Sequence, residues 1–207
     1  MHRTRIKICG ITRVEDARDA VACGADALGL VFYPASPRYL DLGRARRIVE
    51  AVPPFVTTVG LFVNAEPAVV RRVLEAVPLQ LLQFHGEEDE AYCRSFGRPY
   101  VKAARVRPGL DLVEYASSFT SARGLILDAY VEGYGGGGQT FDWSLIPARL
   151  PLPLILSGGL DPQNVTAAVR ALRPWAVDVS SGVEAAKGIK DARKIAEFIA
   201  GVRNGEA

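Results

Sequence analysis

The sequence is poor in the residues that build metal and disulfide sites. Its 207 residues include three cysteines (Cys9, Cys23 and Cys93) and two histidines (His2 and His85). Three scattered cysteines do not make a disulfide framework or a zinc site, and two histidines cannot assemble a His-based metal centre. No metal and no cofactor is therefore expected. No apolar run approaches the roughly 20 residues that a membrane span needs. The opening MHRTRIKICG has no apolar stretch of the signal-peptide kind. With so few thiols, the expectation is a reduced, cytoplasmic protein. An excess of one charge is also missing: 25 basic residues face 23 acidic ones, for a net charge of +2, and no basic block stands out. Nucleic acid and anionic membrane surfaces gain no electrostatic support as partners. Lysine is scarce beside arginine, 5 against 20, and Asn and Gln are few at 3 and 4. That bias fits thermophily and high-GC codon usage equally.

What is abundant is apolar. Hydrophobic residues make up 49% of the chain, which excludes disorder. The length supports one sizeable core, read here as one domain over residues 1–207. Strand-like runs recur at Arg5–Cys9, Asp26–Phe32, Val56–Val63, Leu79–Phe84, Tyr100–Ala104, Gly124–Asp128, Leu152–Leu156 and Trp175–Val179. Most are continuously apolar, as parallel strands covered on both faces are. Helix-period stripes lie between them, at 42–52, 69–77, 165–172 and 195–202. Asp41 reads as one helix cap, and Asp161 followed by Pro162 as another. The segments after Phe84 and after Ala104 are less periodic. Eight strand–helix repeats predict an α/β fold, a (β/α)8 TIM barrel. The rival is an open doubly wound sheet, which this chain is short for, and no G-x-G-x-x-G follows the first strand.

Barrels of this kind place their chemistry at the C-terminal ends of the strands. The Ser157-Gly158-Gly159 and Ser180-Ser181-Gly182 turns follow the last two strands, where such barrels hold phosphate. Glycine lets backbone N–H groups approach an oxyanion, and the helix after Asp161-Pro162 would favour its charge. Gly158, Gly159, Ser180, Ser181 and Gly182 are thus phosphate-binding candidates, against a bland reading as ordinary tight turns. Cys9 ends the first strand and supports two readings, a buried structural thiol or a base or nucleophile at the mouth. Cys23 and Cys93 read as core thiols. Asp128 ends the sixth strand, where an acid is costly unless it is hydrogen-bonded or functional. Arg38 sits in a loop stiffened by Pro34 and Pro37, suited to gripping a carboxylate. His85 follows the fourth strand as a structural hydrogen-bonder or a functional group, and Asp178 lies in the eighth strand. Arg38, His85 and Asp178 are the substrate-binding candidates. Gly133 and Gly135–Gly138 read as a hinged lid after Asp128.

Taken together, KICGIT at 7–12, SPR at 36–38, VGLFVN at 59–64, LQFHG at 82–86, LD at 127–128, FDW at 141–143, LSGGL at 156–160 and VDVSSGVE at 177–184 resemble the phosphoribosylanthranilate isomerase family. One departure is Gly137, where that family's lid carries Thr. The resemblance implies an Amadori rearrangement of N-(5′-phosphoribosyl)anthranilate in tryptophan biosynthesis. It also implies that Cys9 is the general base, that Asp128 is the general acid, and that Arg38 holds the anthranilate carboxylate. The chemistry asks for one acid and one base on opposite sides of a sugar, and for no cofactor. Asp128 must rest protonated. Cys9 must be thiolate part of the time, which calls for a lowered pKa. Lys7, on the same strand face one layer deeper, is a candidate partner for it. Two rivals stay open, a histidine-pathway-like aminoaldose isomerase working with two carboxylates and a non-catalytic phosphometabolite-binding barrel. A small-molecule substrate and a homodimer complete the expected partners.

Overall fold

Alternation along each strand is what builds this molecule. In the computed structural model, which describes residues 3–129 and 141–206, eight parallel strands close on themselves in sequence order. They are β1 (Arg5–Cys9), β2 (Ala27–Val31), β3 (Thr57–Phe62), β4 (Leu81–Phe84), β5 (Tyr100–Val106), β6 (Leu125–Ala129), β7 (Leu154–Leu156) and β8 (Ala176–Val179). Register pairs such as Cys9 with Gly29 and Lys7 with Asp178 lock neighbouring strands and close β8 onto β1. Each expected run overlaps its strand, with β5 and β6 running two residues and one residue past the expected ends, and the TIM barrel prevails over the open sheet.

Odd and even positions then part company. Ile6, Ile8, Leu28, Leu30, Phe62, Leu82, Phe84 and Val177 face outward into the main core beneath the helices. Leu81, Val101, Ala103, Ile126 and Ile155 pack against one another as the inner layer. By the same alternation Lys7, Cys9, Gln83, Asp128 and Asp178 point inward, stacked toward the mouth.

The helices are α1 (Val14–Cys23), α2 (Leu42–Glu50), α3 (Pro67–Ala76), α4 (Glu90–Arg94), α5 (Leu112–Ser117), α6 (Val165–Leu172) and α7 (Ala192–Glu206). Asp41 caps α2 as expected, its carboxylate accepting from Arg44 N at 2.8 Å. Asp161 does something different from the expectation. The helix proper starts at Val165, and Asp161 Oδ1 accepts from Gln163 N and Asn164 N in the turn before it. The repeat is also incomplete. Among the described residues β6 is followed by a 3₁₀ turn at Trp143–Leu145 and not by an α-helix. The glycine lid lies outside the described residues. A two-stranded hairpin, β9 (Glu184–Ala186) and β10 (Ile189–Lys190), follows the β8 turn and sets Lys190 opposite Glu184.

Candidate active site

The thiol is built from strand parity. Cys9 and Lys7 sit two apart on β1 and share the inner face. Across the ladder Cys9 is in register with Gly29. A Cβ at Gly29 would stand 2.7 Å from Cys9 Sγ and 3.1 Å from Lys7 Cε, so the glycine makes room for the pair. Lys7 Nζ donates to Asp178 Oδ2 at 2.8 Å, with both side chains buried, while Asp178 Oδ1 has no partner among the described residues. Burial disfavours the Lys7 ammonium, but Asp178 and Cys9 outweigh it and hold its pKa above the ordinary value. For Cys9 the balance goes the other way. Burial pushes the thiol up, Lys7 opposes that, and Asp178 adds to the rise. The expected lowering is therefore overturned, because the apolar inner layer costs the thiolate more hydration than one shared ammonium returns. Of the other cysteines, Cys93 is buried and pushed up to about 12 by burial, as a core thiol should be. Cys23 is only half-buried, since α1 ends there at the surface.

The carboxyl group at the end of β6 is held at both oxygens. Asp128 Oδ1 accepts from Ala129 N at 2.9 Å, and His85 Nε2 lies 3.0 Å from Oδ2. His85, expected at the substrate, is thus placed on the candidate acid. Its other ring nitrogen, Nδ1, lies 2.9 Å from Gln83 Nε2. The Ser157-Gly158-Gly159 turn abuts this group. Gly158 has φ 81°, and a Cβ there would stand 2.5 Å from Ala129 N and 3.0 Å from Asp128 Oδ1. No L side chain fits that backbone and that contact.

Arg38 is buried, which removes the reading of a solvated surface arginine. Its Nε and Nη2 donate to the two carboxylate oxygens of Glu184 at 2.7 and 2.8 Å. That edge of the fork is taken, and the Nη1–Nη2 edge has no partner among the described residues. Lys190 Nζ donates to the same Glu184 at 2.9 Å and to Ser180 O at 3.0 Å. Burial would raise Glu184, yet Arg38 and Lys190 together hold its carboxyl below the usual range. Burial lowers Lys190, with Glu184 opposing.

The two serine–glycine turns converge. A Cβ on Gly182 would lie 2.0 Å from Leu160 O, so the turn after β8 seats directly on the one after β7. The N–H groups of Gln163 and Asn164, in the turn before α6, are already met by Asp161. Sequence reasoning left out Gln83, Glu184 and Lys190 as site residues. Strand parity flags Gln83, two before His85. The other two depend on a hairpin with no periodic signal.

A thiol, an imidazole and buried charged groups gathered at the strand ends of a closed parallel barrel define an enzyme of the (β/α)8 class. The family model described as N-(5′-phosphoribosyl)anthranilate (PRA) isomerase matches residues 6–201. The chain belongs to that family. It is 65% identical over 204 residues to the N-(5′-phosphoribosyl)anthranilate isomerase of Dechloromonas aromatica, covering 99% of this chain and 98% of the relative. It is similar, at TM-score 0.84 and 43% identity, to phosphoribosyl anthranilate isomerase crystallised with reduced 1-(o-carboxyphenylamino)-1-deoxyribulose 5-phosphate, over 97% of this chain and 98% of that one. A structure of monomers generated from the dimeric isomerase of Thermotoga maritima matches at TM-score 0.84 and 42% identity, with the same coverage.

Proposed function

We propose that this isomerase of tryptophan biosynthesis rearranges N-(5′-phosphoribosyl)anthranilate with Cys9 as general base and Asp128 as general acid. Asp128 gives its proton to the furanose ring oxygen as the C1′–O bond breaks. The anthranilate nitrogen supplies the electron pair that forms the C1′=N bond. The Cys9 thiolate then takes the C2′ proton, the electrons of that bond form C1′=C2′, and the nitrogen regains its lone pair. The resulting enolamine tautomerises to the aminoketose. Atoms and electrons balance without an oxidant or reductant.

The observation that carries this reading is that each proton-transfer group has its own partner, the buried Lys7 for Cys9 and the half-buried His85 for Asp128, at strand ends three steps apart around the barrel. A burial-raised thiol makes the thiolate the scarce species at neutral pH, and Lys7 is the group that makes it accessible. Arg38 meets the anthranilate carboxylate with its outer edge. Asp178, through its unpartnered oxygen, accepts from a substrate hydroxyl. The glycine turns at 158–159 and 180–182 take the phosphate. A two-carboxylate mechanism finds no support at β1, where the strand ends in a thiol. The test is turnover of freshly prepared phosphoribosylanthranilate by the purified chain, followed as loss of anthranilate fluorescence. Catalysed loss is expected, and none above the spontaneous rate overturns the reading.

The chain also pairs with a second copy of itself in this reading. Phe55, between α2 and β3 at the face opposite the mouth, is fully exposed and has φ 71°. A bulky side chain in the left-handed region costs about 1–2 kcal/mol. A phenyl ring standing clear of its own fold gains nothing back until a partner covers it. The dimeric relative from Thermotoga maritima supports the same assignment. Among the described residues no helix is long and apolar enough to cross a membrane, and the thiols are free, which fits a cytoplasmic setting.

A further inference from the structure

Gln83 has no surface exposed to solvent, and its carboxamide is poorly served for a buried polar group. The one hydrogen bond its side chain makes is from Nε2 to His85 Nδ1, while Oε1 has no partner among the described residues. An unpaired buried amide oxygen is a standing cost, and an apolar side chain of the same length would avoid it. What the amide does that an apolar chain could not is donate to His85. A carboxamide nitrogen only donates, so Nδ1 must accept, and the single proton of the neutral ring is on Nε2. That proton is directed at Asp128 Oδ2, 3.0 Å away, while Ala129 N–H serves Oδ1. Turned end for end, the same amide would accept from Nδ1–H and reverse every role along the line.

We propose that Gln83 is a positioning residue for the acid: it holds His85 as the neutral Nε2–H tautomer, and through it clamps Asp128. The inference rests on the reading of Asp128 as general acid. Two N–H donors aimed at one carboxyl group cost little while it is protonated and favour it once its proton has gone to the sugar ring. The relay thus favours the state that follows ring opening. It also fixes the carboxyl plane, since neither oxygen can turn without losing a donor. Arg105 of β5 stands beside this line, its Cα in register with that of Asp128. Lys102 of the same strand is buried with Glu88 and Gly86 O, away from the mouth.

With two histidines in the chain, ¹⁵N-histidine labelling gives two ring spin systems, and a His2→Gln variant assigns them. At neutral pH the wild-type His85 ring should carry its proton on Nε2, with Nδ1 bare. Gln83→Glu puts an acceptor where the donor was, so Nδ1 should become protonated. Gln83→Met removes the donor at similar size. Both variants should lose roughly 10- to 100-fold in kcat, the range of one hydrogen bond to a charged group, with KM within about threefold of wild type. A purely space-filling Gln83 predicts instead a Met variant with normal kcat and unchanged ring nitrogens in the Glu variant. Nδ1–H in the wild type, or that space-filling pattern, overturns the proposal. If neither variant folds, the wild-type spectrum alone decides it. Asp128→Asn with normal kcat would remove the acid assignment and leave the tautomer result standing, so the two failures are distinct.

Discussion

Replacing Lys7 by Met separates what this lysine does for the fold from what it does for the thiol. The two side chains have similar length, so packing survives and the ammonium is lost. Asp178, 4% exposed, would then have neither oxygen paired. Removing one partner from a buried ion pair costs about 3–5 kcal/mol. For a chain of this size each kcal/mol shifts the melting temperature by about 2–4 °C, so a fall of roughly 6–20 °C is expected. The catalytic effect is separate. Lys7 is the main group opposing the burial-driven rise of the Cys9 thiol, with Lys190 adding less. Without it the thiol moves further up, and kcat/KM at neutral pH should drop by roughly 10- to 100-fold, as for loss of a charged hydrogen bond. The sign of the pH effect follows. The free enzyme needs Cys9 deprotonated and Asp128 protonated together, so kcat/KM follows a bell in pH, and the limb set by Cys9 lies in the alkaline range. In Lys7→Met that limb should lie at higher pH still, with a lower maximum. Adding Asp178→Asn to Lys7→Met removes the stranded charge and should recover much of the melting temperature while kcat/KM stays low. Fluorescence assays across neutral to alkaline pH, beside thermal melts, read both effects. A Lys7→Met enzyme with an unchanged pH profile and kcat/KM within about threefold of wild type would refute the reasoning.

Arg38→Met should raise KM strongly while inorganic phosphate still competes, and Lys in its place should not fully rescue, because it lacks the fork. An unchanged KM would confine Arg38 to its Glu184 pairing. Glu184→Gln strands two buried cations and should destabilise by about 3–5 kcal/mol at neutral pH. Because the folded carboxyl sits below its unfolded value of about 4.3, its contribution is present above that value and lost as pH falls through the lower folded one. Melts against pH should therefore fall away on the acid side in wild type and be flatter there in Glu184→Gln. Phe55→Glu should convert the dimer to a species near 22.3 kDa in sedimentation, with kcat retained, since the loop is at the far face from the mouth. A wild-type chain already at that mass would reject the pairing.

The eight strands were legible because buried parallel strands are apolar on both faces, and the resemblance motifs fall at their ends. The elements that escaped have weak periodic signals. The core face of α1 is built from Ala17 and Ala20, which mark burial poorly, and α4 and α5 span only five and six residues. The β9–β10 hairpin, which brings Glu184 and Lys190 under Arg38, is too short to show alternation. Within the site, position was easier to read than environment. Cys9 and Asp128 were legible as strand-end groups. That burial outweighs Lys7 at the thiol depends on the packing of the whole inner layer, and no local pattern reports it. His85 was expected on the substrate because its contact with Asp128 joins β4 to β6 across an intervening strand, a pairing set by barrel closure.

The acid–base assignment is tested most directly by kcat in Cys9→Ser and Asp128→Asn, measured beside Cys23→Ser and Cys93→Ser with thermal melts on all four. Serine keeps the geometry but does not ionise usefully near neutrality, and asparagine keeps the shape but has no proton to give. General acid–base contributions are typically about 10²–10⁴ in rate, so each of the first two variants should lose at least that much in kcat while still binding product. The other two should lose stability at most. A Cys9→Ser enzyme within about threefold of wild type in kcat, with its melting temperature altered instead, would show that Cys9 is a core thiol and contradict its assignment as the base.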